Sequence, residues 1–508
     1  MLPIDHFFRA AQRFPGRIAV RDNQTDITYA ELAERTNALA AALQSIDPKP
    51  QSRVGICGYN TYEHLLAWLA TFAAGKTWIP LNPRNGKPEL DRICQVTSPS
   101  IVFVDGDCDD KIDTGSATRI TGKPGTDTVD GQSLADLVAA HAGQRPVRHD
   151  LSLDDLQAIK FTGGSSGQPK GCMQTYRVWN SCITTMLHEF GFDCDDRNLL
   201  AAPMTHGTNT LIMPTFAVGG MQVFMGSAKP ASIIDALERE KATSIFLPPT
   251  VIYMMLDEPG VAERDFSALK HLIVGGAAIR KDEVPRAMKV FNNALETCFG
   301  QTEAPQIAIC MRADDWAKPE NWASTGRATC LTRVEIMDPD GKILATGETG
   351  EIVLKGDLVM KGYLDMPDKT AETIIDGWLH TGDVGIIDER GFVYIKDRIR
   401  DVVITGGFNV YPSDVEAVLG LHPAVTECVV FGVPDRKWGE ALTAAVEVRA
   451  DADVTGDEIA AFVKERLDSV KTPKIVHIVD ELPRSPVGKV LRREAKVMFT
   501  PKDGEDAA

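Results

Sequence analysis

Apolar and polar positions follow two different rhythms along this chain. Over the first hundred residues, short apolar runs at VGICGY (54–59), WIPLN (78–82) and IVFVD (101–105) alternate with longer stretches in which apolar residues recur every three or four positions. HLLAWLATFAA, ending at Gly75, and a stretch near 88–96 are of the second kind. Runs that are apolar throughout, separated by helices of about ten residues, predict a parallel sheet covered on both faces. Thr28-x-x-Glu31 has the form of a capping box and opens a predicted helix with Leu32, Leu39 and Leu43 on one face. The same alternation returns at TSIFLPP (243–249) and HLIVGGA (271–277), each followed by a helical pattern.

Between 326 and 396 the texture changes. VEIMDPDGK, GEIVLKG, GWLHTGD and GFVYIKD are short runs broken by Asp-Gly or Gly turns, which suits antiparallel strands packed beside an α/β core. From Asp397 onward ECVVFGVP, LTAAVEV and DEIAAFVKERL give mixed α and β, enough for a small separate domain. The expected division is a large part over 1–396 and a small one over 397–508. The last eight residues, PKDGEDAA, are expected to be disordered.

Composition narrows the function. In 508 residues, 44% hydrophobic and 25% charged, acidic groups (71) exceed basic ones (54) to give a net charge of −17. That is an ordinary globular composition, and its charge repels a phosphate backbone or an anionic membrane at long range. Nucleic acid is therefore not an expected partner, and any polyanionic ligand needs a local basic cluster. The ten cysteines form no C-x-x-C pair, which points to reduced thiols, and with no signal peptide at the N-terminus the expected location is cytoplasmic. Gly207 to Ala228 carries no charged residue and has about the length of a membrane span. Asn209, Pro214, Gly219, Gly220 and Gln222 interrupt it, so it is read as a buried helix followed by a strand.

Candidate chemistry starts at FTGGSSGQPKG (161–171), where glycines and serines let backbone N–H groups converge on an anion while hydroxyls and a lysine add donors. It is not a Walker A loop, and Gly75-Lys76-Thr77 is excluded as one because Ala70 replaces the required first glycine. Gly163-Gly164-Ser165-Ser166-Gly167 also satisfies G-x-S-x-G, the nucleophile elbow of serine hydrolases. An elbow is followed at once by a helix, whereas Pro169-Lys170-Gly171 follows here. A plain Gly/Ser linker is the third reading of this segment.

FTGGSSGQPKG resembles the signature loop of the adenylate-forming superfamily, which includes acyl-CoA synthetases, adenylation domains and firefly-type luciferases. FGQTE (299–303), GWLHTGD (377–383), KDRIRDVVITGGFNVYPSDVE (396–416) and PRSPVGKVLRRE (483–494) follow in that family's order and spacing, with a similar ITYAEL at 27–32. The resemblance covers nearly the whole chain. It implies a large N-terminal domain of parallel sheets covered by helices with a small β-barrel-like subdomain, then a small mobile α+β domain hinged at Asp397. It also implies MgATP and coenzyme A as co-substrates: the acid becomes an acyl-adenylate with release of pyrophosphate, and the acyl group then passes to a thiol.

On that resemblance Thr162, Gly163, Gly164, Ser165, Ser166, Gly167 and Lys170 hold the β- and γ-phosphates, although Gly163 stands where a hydroxylic residue is common. Phe299, in place of the usual Tyr, lies beside the adenine, with Gly300 and Gln301 next to it. Thr302 approaches the α-phosphate, and Glu303 binds Mg²⁺ through its carboxylate. Asp383 accepts from the ribose hydroxyls, and Arg398 reaches the same sugar or its phosphate. Lys489 is the catalytic cation, bridging the acid's carboxylate and the α-phosphate. Gly406, Gly407 and Phe408 line the way for a pantetheine arm. Five basic residues against one acidic over 484–498 are expected to meet the phosphates of CoA. At Arg400 the family more often has Lys.

The acyl pocket is expected from THGTNTLI (205–212), VGGAAI (274–279) and FGQTEAPQI (299–307), with Gly276 and Ala277 counted also among the cofactor-binding residues. These are small or apolar, and apart from Glu303 only His206 can carry charge. His206 is read either as a gating catalytic residue or as a satisfied pocket-wall histidine. A dicarboxylate would lack an evident cation partner. The expected substrate is therefore a monocarboxylic acid with a fatty or aryl-alkyl tail, and the expected activity is an ATP-dependent acid:CoA ligase. Loading of a carrier protein's phosphopantetheine is the nearest alternative, a serine hydrolase using Ser165 a remote one, and light emission has no separate support. A homodimer is allowed rather than required.

Overall fold

The computed structural model describes residues 1–22, 25–122, 131–162, 169–484 and 490–500. The chain forms two compact units. The first comprises Met1–Val334, Val353–His380 and Gly391–Val393, and the second Glu335–Ile352, Thr381–Arg390 and Tyr394–Ala508. The last eight residues, for which disorder is expected, lie outside the described residues.

In the first unit one sheet runs in the order Gly362–Tyr363, Lys170–Thr175, Leu156–Thr162, Thr77–Leu81, Arg53–Cys57, Ile101–Val104, Thr118–Thr121, Gly131–Ser133. From Leu156–Thr162 onward its pairs are parallel, as the uninterrupted apolar runs predict. A second sheet places Leu295–Gln301, His271–Val274, Ser244–Leu247, Arg197–Leu199, Met221–Val223 and Ile18–Asp22 side by side and parallel. Antiparallel strands Ala304–Met311 and Gly326–Ala328 extend it from Leu295–Gln301. TSIFLPP yields only Ser244–Leu247, because Pro248 and Pro249 cannot donate to a ladder and Pro249 instead opens the helix Pro249–Leu256.

Thr28 caps the helix Tyr29–Ile46 with both halves of the capping box present, and Leu32, Leu39 and Leu43 are buried. Gly207 to Ala228 resolves into the helix Asn209–Val218 and the strand Met221–Val223. Among the described residues no helix is long and apolar enough to cross a membrane. All ten cysteines are free, and only Cys330 is exposed. Trp68 and Phe72 of the helix Tyr62–Ala73, Trp78 of the strand Thr77–Leu81 and Trp179 of the helix Tyr176–Phe190 form an aromatic cluster, with Trp78 and Trp179 centroids 6.2 Å apart.

In the second unit the strands Phe408–Val410, Val403–Thr405, Gly439–Val448 and Val425–Asp435 make an antiparallel sheet, joined by Ile475–Val479, which runs parallel to Gly439–Val448. One face packs Val430, Leu442, Ala444 and Val446 against Val415, Leu419, Ile459 and Val463 of the helices Pro412–Leu419 and Gly456–Arg466. The other packs Val429, Phe431 and Ala445 against Ala495 of the helix Arg492–Phe499. A sheet with helices on both faces gives this small unit its own core.

Candidate active site

The Gly-rich segment is the connection of a β-hairpin. Leu156–Thr162 and Lys170–Thr175 pair antiparallel, and Thr162 stands directly opposite Lys170. A strand rather than a helix follows the segment, which removes the geometry of a nucleophile elbow. Gly163, Gly164, Ser165, Ser166 and Gly167 themselves lie outside the described residues, as does Lys489.

Lys170 places its Nζ 5.1 Å from the centroid of the Tyr363 ring. The Tyr363 hydroxyl in turn donates to Glu303 Oε1 at 2.7 Å. Glu303 and Thr302 form the turn between the antiparallel strands Leu295–Gln301 and Ala304–Met311, so the partly exposed Phe299, Gly300 and Gln301 lead directly into it. That turn is fixed from two directions: Gln174 Nε2 donates to the Thr302 carbonyl at 2.9 Å, and the Met360 N–H donates to the Glu303 carbonyl at 2.8 Å. Burial raises the pKa of Tyr363, with the neighbouring Glu303 carboxylate adding to it, so the phenol remains a donor. Cys172 is pushed up by burial and then by the same carboxylate. A partly exposed carboxylate held by a phenol, with an ammonium and a threonine nearby, is a hard-oxygen donor set that fits Mg²⁺ and polyphosphate.

The second unit brings Asp383 and Arg398 together. Asp383 is buried, and Arg398 Nε lies 2.6 Å from its Oδ1. Thr381-Gly382-Asp383 lies within the strand Trp378–Ile387, where Asp383 N–H donates to Thr381 Oγ1 and Gly382 N–H donates to Glu351. Gly406 and Gly407 have φ of +58° and +83° and make the turn of the hairpin Val403–Thr405/Phe408–Val410. Two successive positive φ values are those of a type I′ turn, which glycine adopts without steric cost. Phe408 is exposed.

The basic strip at 484–498 is not a free cationic surface. Arg492 is shared among Glu416, Asp397 and Asp401, Arg484 pairs with Glu447, and Lys496 with Glu440. The expected meeting with CoA phosphates therefore does not hold for these three: acidic residues distant in the chain already neutralise them. Asp397 also accepts from Ser413 N–H and Arg398 N–H.

Around the segments read as the acyl wall, Gly207 and Gly275 both press on the Phe246 ring, where an added Cβ would come within 2.6 Å of it. Gly276 and Ala277 follow on an exposed turn after His271–Val274. His206 Nδ1 is 3.0 Å from Thr205 Oγ1, and the pKa of the imidazole is lowered to about 4, first by desolvation of the ring and then by the charges of Lys160 and Arg84. The imidazole is thus neutral rather than cationic near pH 7. Gln306 sits at φ +63° with its buried Nε2 without a partner among the described residues.

Two of these side chains, Tyr363 and Lys160, escape sequence reasoning, whereas Gln306 lies within the segment 299–307 expected to line the acyl pocket. Lys160 is buried on the strand Leu156–Thr162, and its Nζ donates to Asn209 Oδ1 at 3.0 Å. It adds a cation to a wall whose sequence shows none. Its signal was present, a charge inside the apolar run AIKF, whereas nothing in KGYLDM marks Tyr363.

The family described as AMP-binding enzyme matches residues 7–364, and AMP-binding enzyme C-terminal domain matches 414–489. A feruloyl-CoA synthase of Amycolatopsis is 34% identical over 97% of this chain and 98% of its own length. A medium/long-chain fatty acid–CoA ligase of Mycobacterium tuberculosis is 32% identical over 94% of this chain and 86% of its own. Among solved structures, the amide bond synthetase McbA of Marinactinospora thermotolerans superposes with a TM-score of 0.88 at 28% identity, over 98% of this chain and 100% of that one.

Proposed function

The chain belongs to the AMP-binding enzyme family, and from that premise we propose that it is an ATP-dependent acid:CoA ligase acting on a monocarboxylic fatty or aryl-alkyl acid. The observation that carries this reading is the Thr162/Lys170 hairpin mouth beside Tyr363 and Glu303. It supplies donors for a polyphosphate and a carboxylate for its metal in one unit.

A carboxylate is a poor electrophile because attack on it must expel an oxide. In the proposed first step a carboxylate oxygen attacks the α-phosphorus of ATP, the bond to the β-phosphate oxygen breaks, and pyrophosphate leaves. In the second, the CoA sulfur attacks the acyl carbon, AMP leaves, and the thiol proton is released. Alignment and charge neutralisation do most of the work. Lys170 and Thr162, with the Gly-rich segment, hold the terminal phosphates, and Thr302 approaches the α-phosphate. Glu303, oriented by Tyr363, would hold Mg²⁺, which would supply charge neutralisation at the phosphates. Asp383, with Arg398 beside it, accepts from the ribose hydroxyls. Lys489 bridges the carboxylate and the α-phosphate in the first step, and the Gly406-Gly407-Phe408 hairpin serves the pantetheine arm in the second. The unsatisfied amide of Gln306 favours an acid whose tail carries an oxygen, such as a substituted aryl acid. The feruloyl-CoA synthase relative supports the same choice.

The test is pyrophosphate release from the purified protein with MgATP and a panel of short, medium, long and aryl acids, with and without CoA. Acid-dependent release with acyl-CoA formation, strongly reduced by Lys489→Ala, is expected. Release with no thioester would redirect the second step to a carrier protein or an amine. Absence of release with every acid, together with fluorophosphonate labelling of Ser165, would overturn the ligase in favour of a hydrolase.

A further inference from the structure

Lys160 is buried in the first unit, and among the described residues no carboxylate is in contact with its ammonium. Its Nζ lies 5.2 Å from the Trp78 ring centroid and 5.1 Å from that of Trp179, between two aromatic faces. Among the described residues the one hydrogen bond it donates goes to Asn209 Oδ1. Asn209, fully buried, turns its own amide to the carbonyls of Met204 and His206. The amide orientation of Asn209 is thereby set at both ends: Nδ2 must donate to the two carbonyls, and Oδ1 must accept from Lys160. Without the lysine, Oδ1 would be a buried acceptor left without a donor.

A second chain of contacts leaves the same lysine in the other direction. Trp179 Nε1 donates to Gln174 Oε1 at 3.1 Å, and Gln174 Nε2 donates to the Thr302 carbonyl. One buried amino group therefore stands between the segment that carries His206 and the turn that carries Thr302 and Glu303.

We propose that Lys160 is a positioning residue for the acid substrate: acting through Asn209, it fixes the Met204–Asn209 segment and places a buried amino group behind the acyl wall. This rests on the ligase reading for the identity of that wall. It does not rest on it for the titration of the lysine.

The electrostatics agree with the geometry. Desolvation brings the Lys160 pKa down to about 7. The groups that bear on it are few. Cys182 comes from the helix Tyr176–Phe190, Cys172 from the neighbouring strand with Glu303 beyond it, and His206 from the loop, with Arg84 near His206. The thiols are held protonated and His206 neutral, so Lys160 is the group in this set that changes charge near neutral pH. Protonated, it makes a charge-assisted hydrogen bond to Asn209 and attracts the anionic acid. Deprotonated, it keeps a weaker bond and loses the attraction.

The experiment compares wild type with Lys160→Met, which matches the length of the side chain without a donor, and Lys160→Gln, which restores a neutral donor. Acid-dependent pyrophosphate release is followed from pH 6 to 9. Loss of the hydrogen bond in Lys160→Met is expected to raise KM for the acid about five- to tenfold while KM for ATP stays within about twofold. Lys160→Gln, a donor without the charge, is expected to recover only the part of the acid KM that the hydrogen bond supplies, matching wild type above pH 7 more nearly than below it. In wild type, kcat/KM for the acid should fall as pH rises through about 7, and neither variant should show that limb. Independently of any activity, tryptophan emission of the substrate-free protein should titrate near pH 7 in wild type and not in the variants, because the charge sits over two indole rings. An unchanged acid KM and pH profile in both variants overturns the proposal, and so does an emission titration that persists without the lysine. A wild type that releases no pyrophosphate with any acid counts against the ligase reading, and the emission titration still decides whether Lys160 carries the charge.

Discussion

Lys160 loses its water when the chain folds, and that gives stability a pH dependence with a definite sign. Its pKa falls from an unfolded value of about 10.4 to about 7, so between those limits the unfolded chain binds the extra proton and stability rises with pH. Relative to Lys160→Met, wild type should gain about 1.4 kcal/mol per pH unit from roughly pH 7 to pH 10, with the difference levelling off below pH 7. Urea denaturation of both proteins at three pH values checks this, since groups common to the two cancel. Tyr363 offers a second residue-scale prediction. Its hydroxyl orients the Glu303 carboxylate at 2.7 Å, and Tyr363→Phe should raise the Mg²⁺ concentration for half-maximal pyrophosphate release about tenfold or more, as lost orienting partners of metal ligands do. Residues such as Glu303 and Asp383 are legible in sequence because they sit in spaced motifs. Tyr363 is not, because its meaning comes from a carboxylate sixty residues earlier, at a turn of a different sheet, that only the tertiary fold brings within reach.

At the scale of elements, local signals in the sequence were reliable wherever the physics is local. The capping box of Tyr29–Ile46, the parallel strands and the split of 207–228 all follow from period and caps. The hairpin turn at Gly406-Gly407 has a geometric reason beyond room for a pantetheine arm, and Gly407→Val, forced to φ near +83°, should cost about 1–2 kcal/mol. Thermal denaturation of the variant measures it. The basic strip at 484–498 was misleading because its partners are remote in sequence: Glu416, Asp397 and Asp401 converge on one guanidinium. Burial raises the Glu416 pKa, and Arg492 opposes that rise. Removing the cation by Arg492→Met leaves three carboxylates facing one another and should destabilise the second unit by about 3 kcal/mol or more. Chemical denaturation followed by circular dichroism would show this, and an unchanged midpoint would refute it.

For the whole molecule, the alternation of strands and helices announced the α/β class, while the interleaving of 335–352 and 381–390 with the C-terminal segment was invisible. Period and composition report on each element's own surroundings, whereas the grouping of elements depends on contacts between distant parts of the chain. The proposed two-step chemistry makes a prediction at this scale. Lys489→Ala should lower pyrophosphate release by about a hundredfold or more, as loss of transition-state charge stabilisation does. It should leave thioester formation from a supplied acyl-adenylate nearly intact, and the two half-reactions assayed separately decide this. The Arg492 cluster bears on how such experiments are designed. A stop codon placed just after the PRSPVGK motif keeps Lys489 but deletes the helix Arg492–Phe499, and with it the cation that joins Glu416 to Asp397 and the Ala495 contact with the sheet. A truncated protein of that kind would fail for want of a folded second unit, so fusion partners and affinity tags belong beyond residue 500.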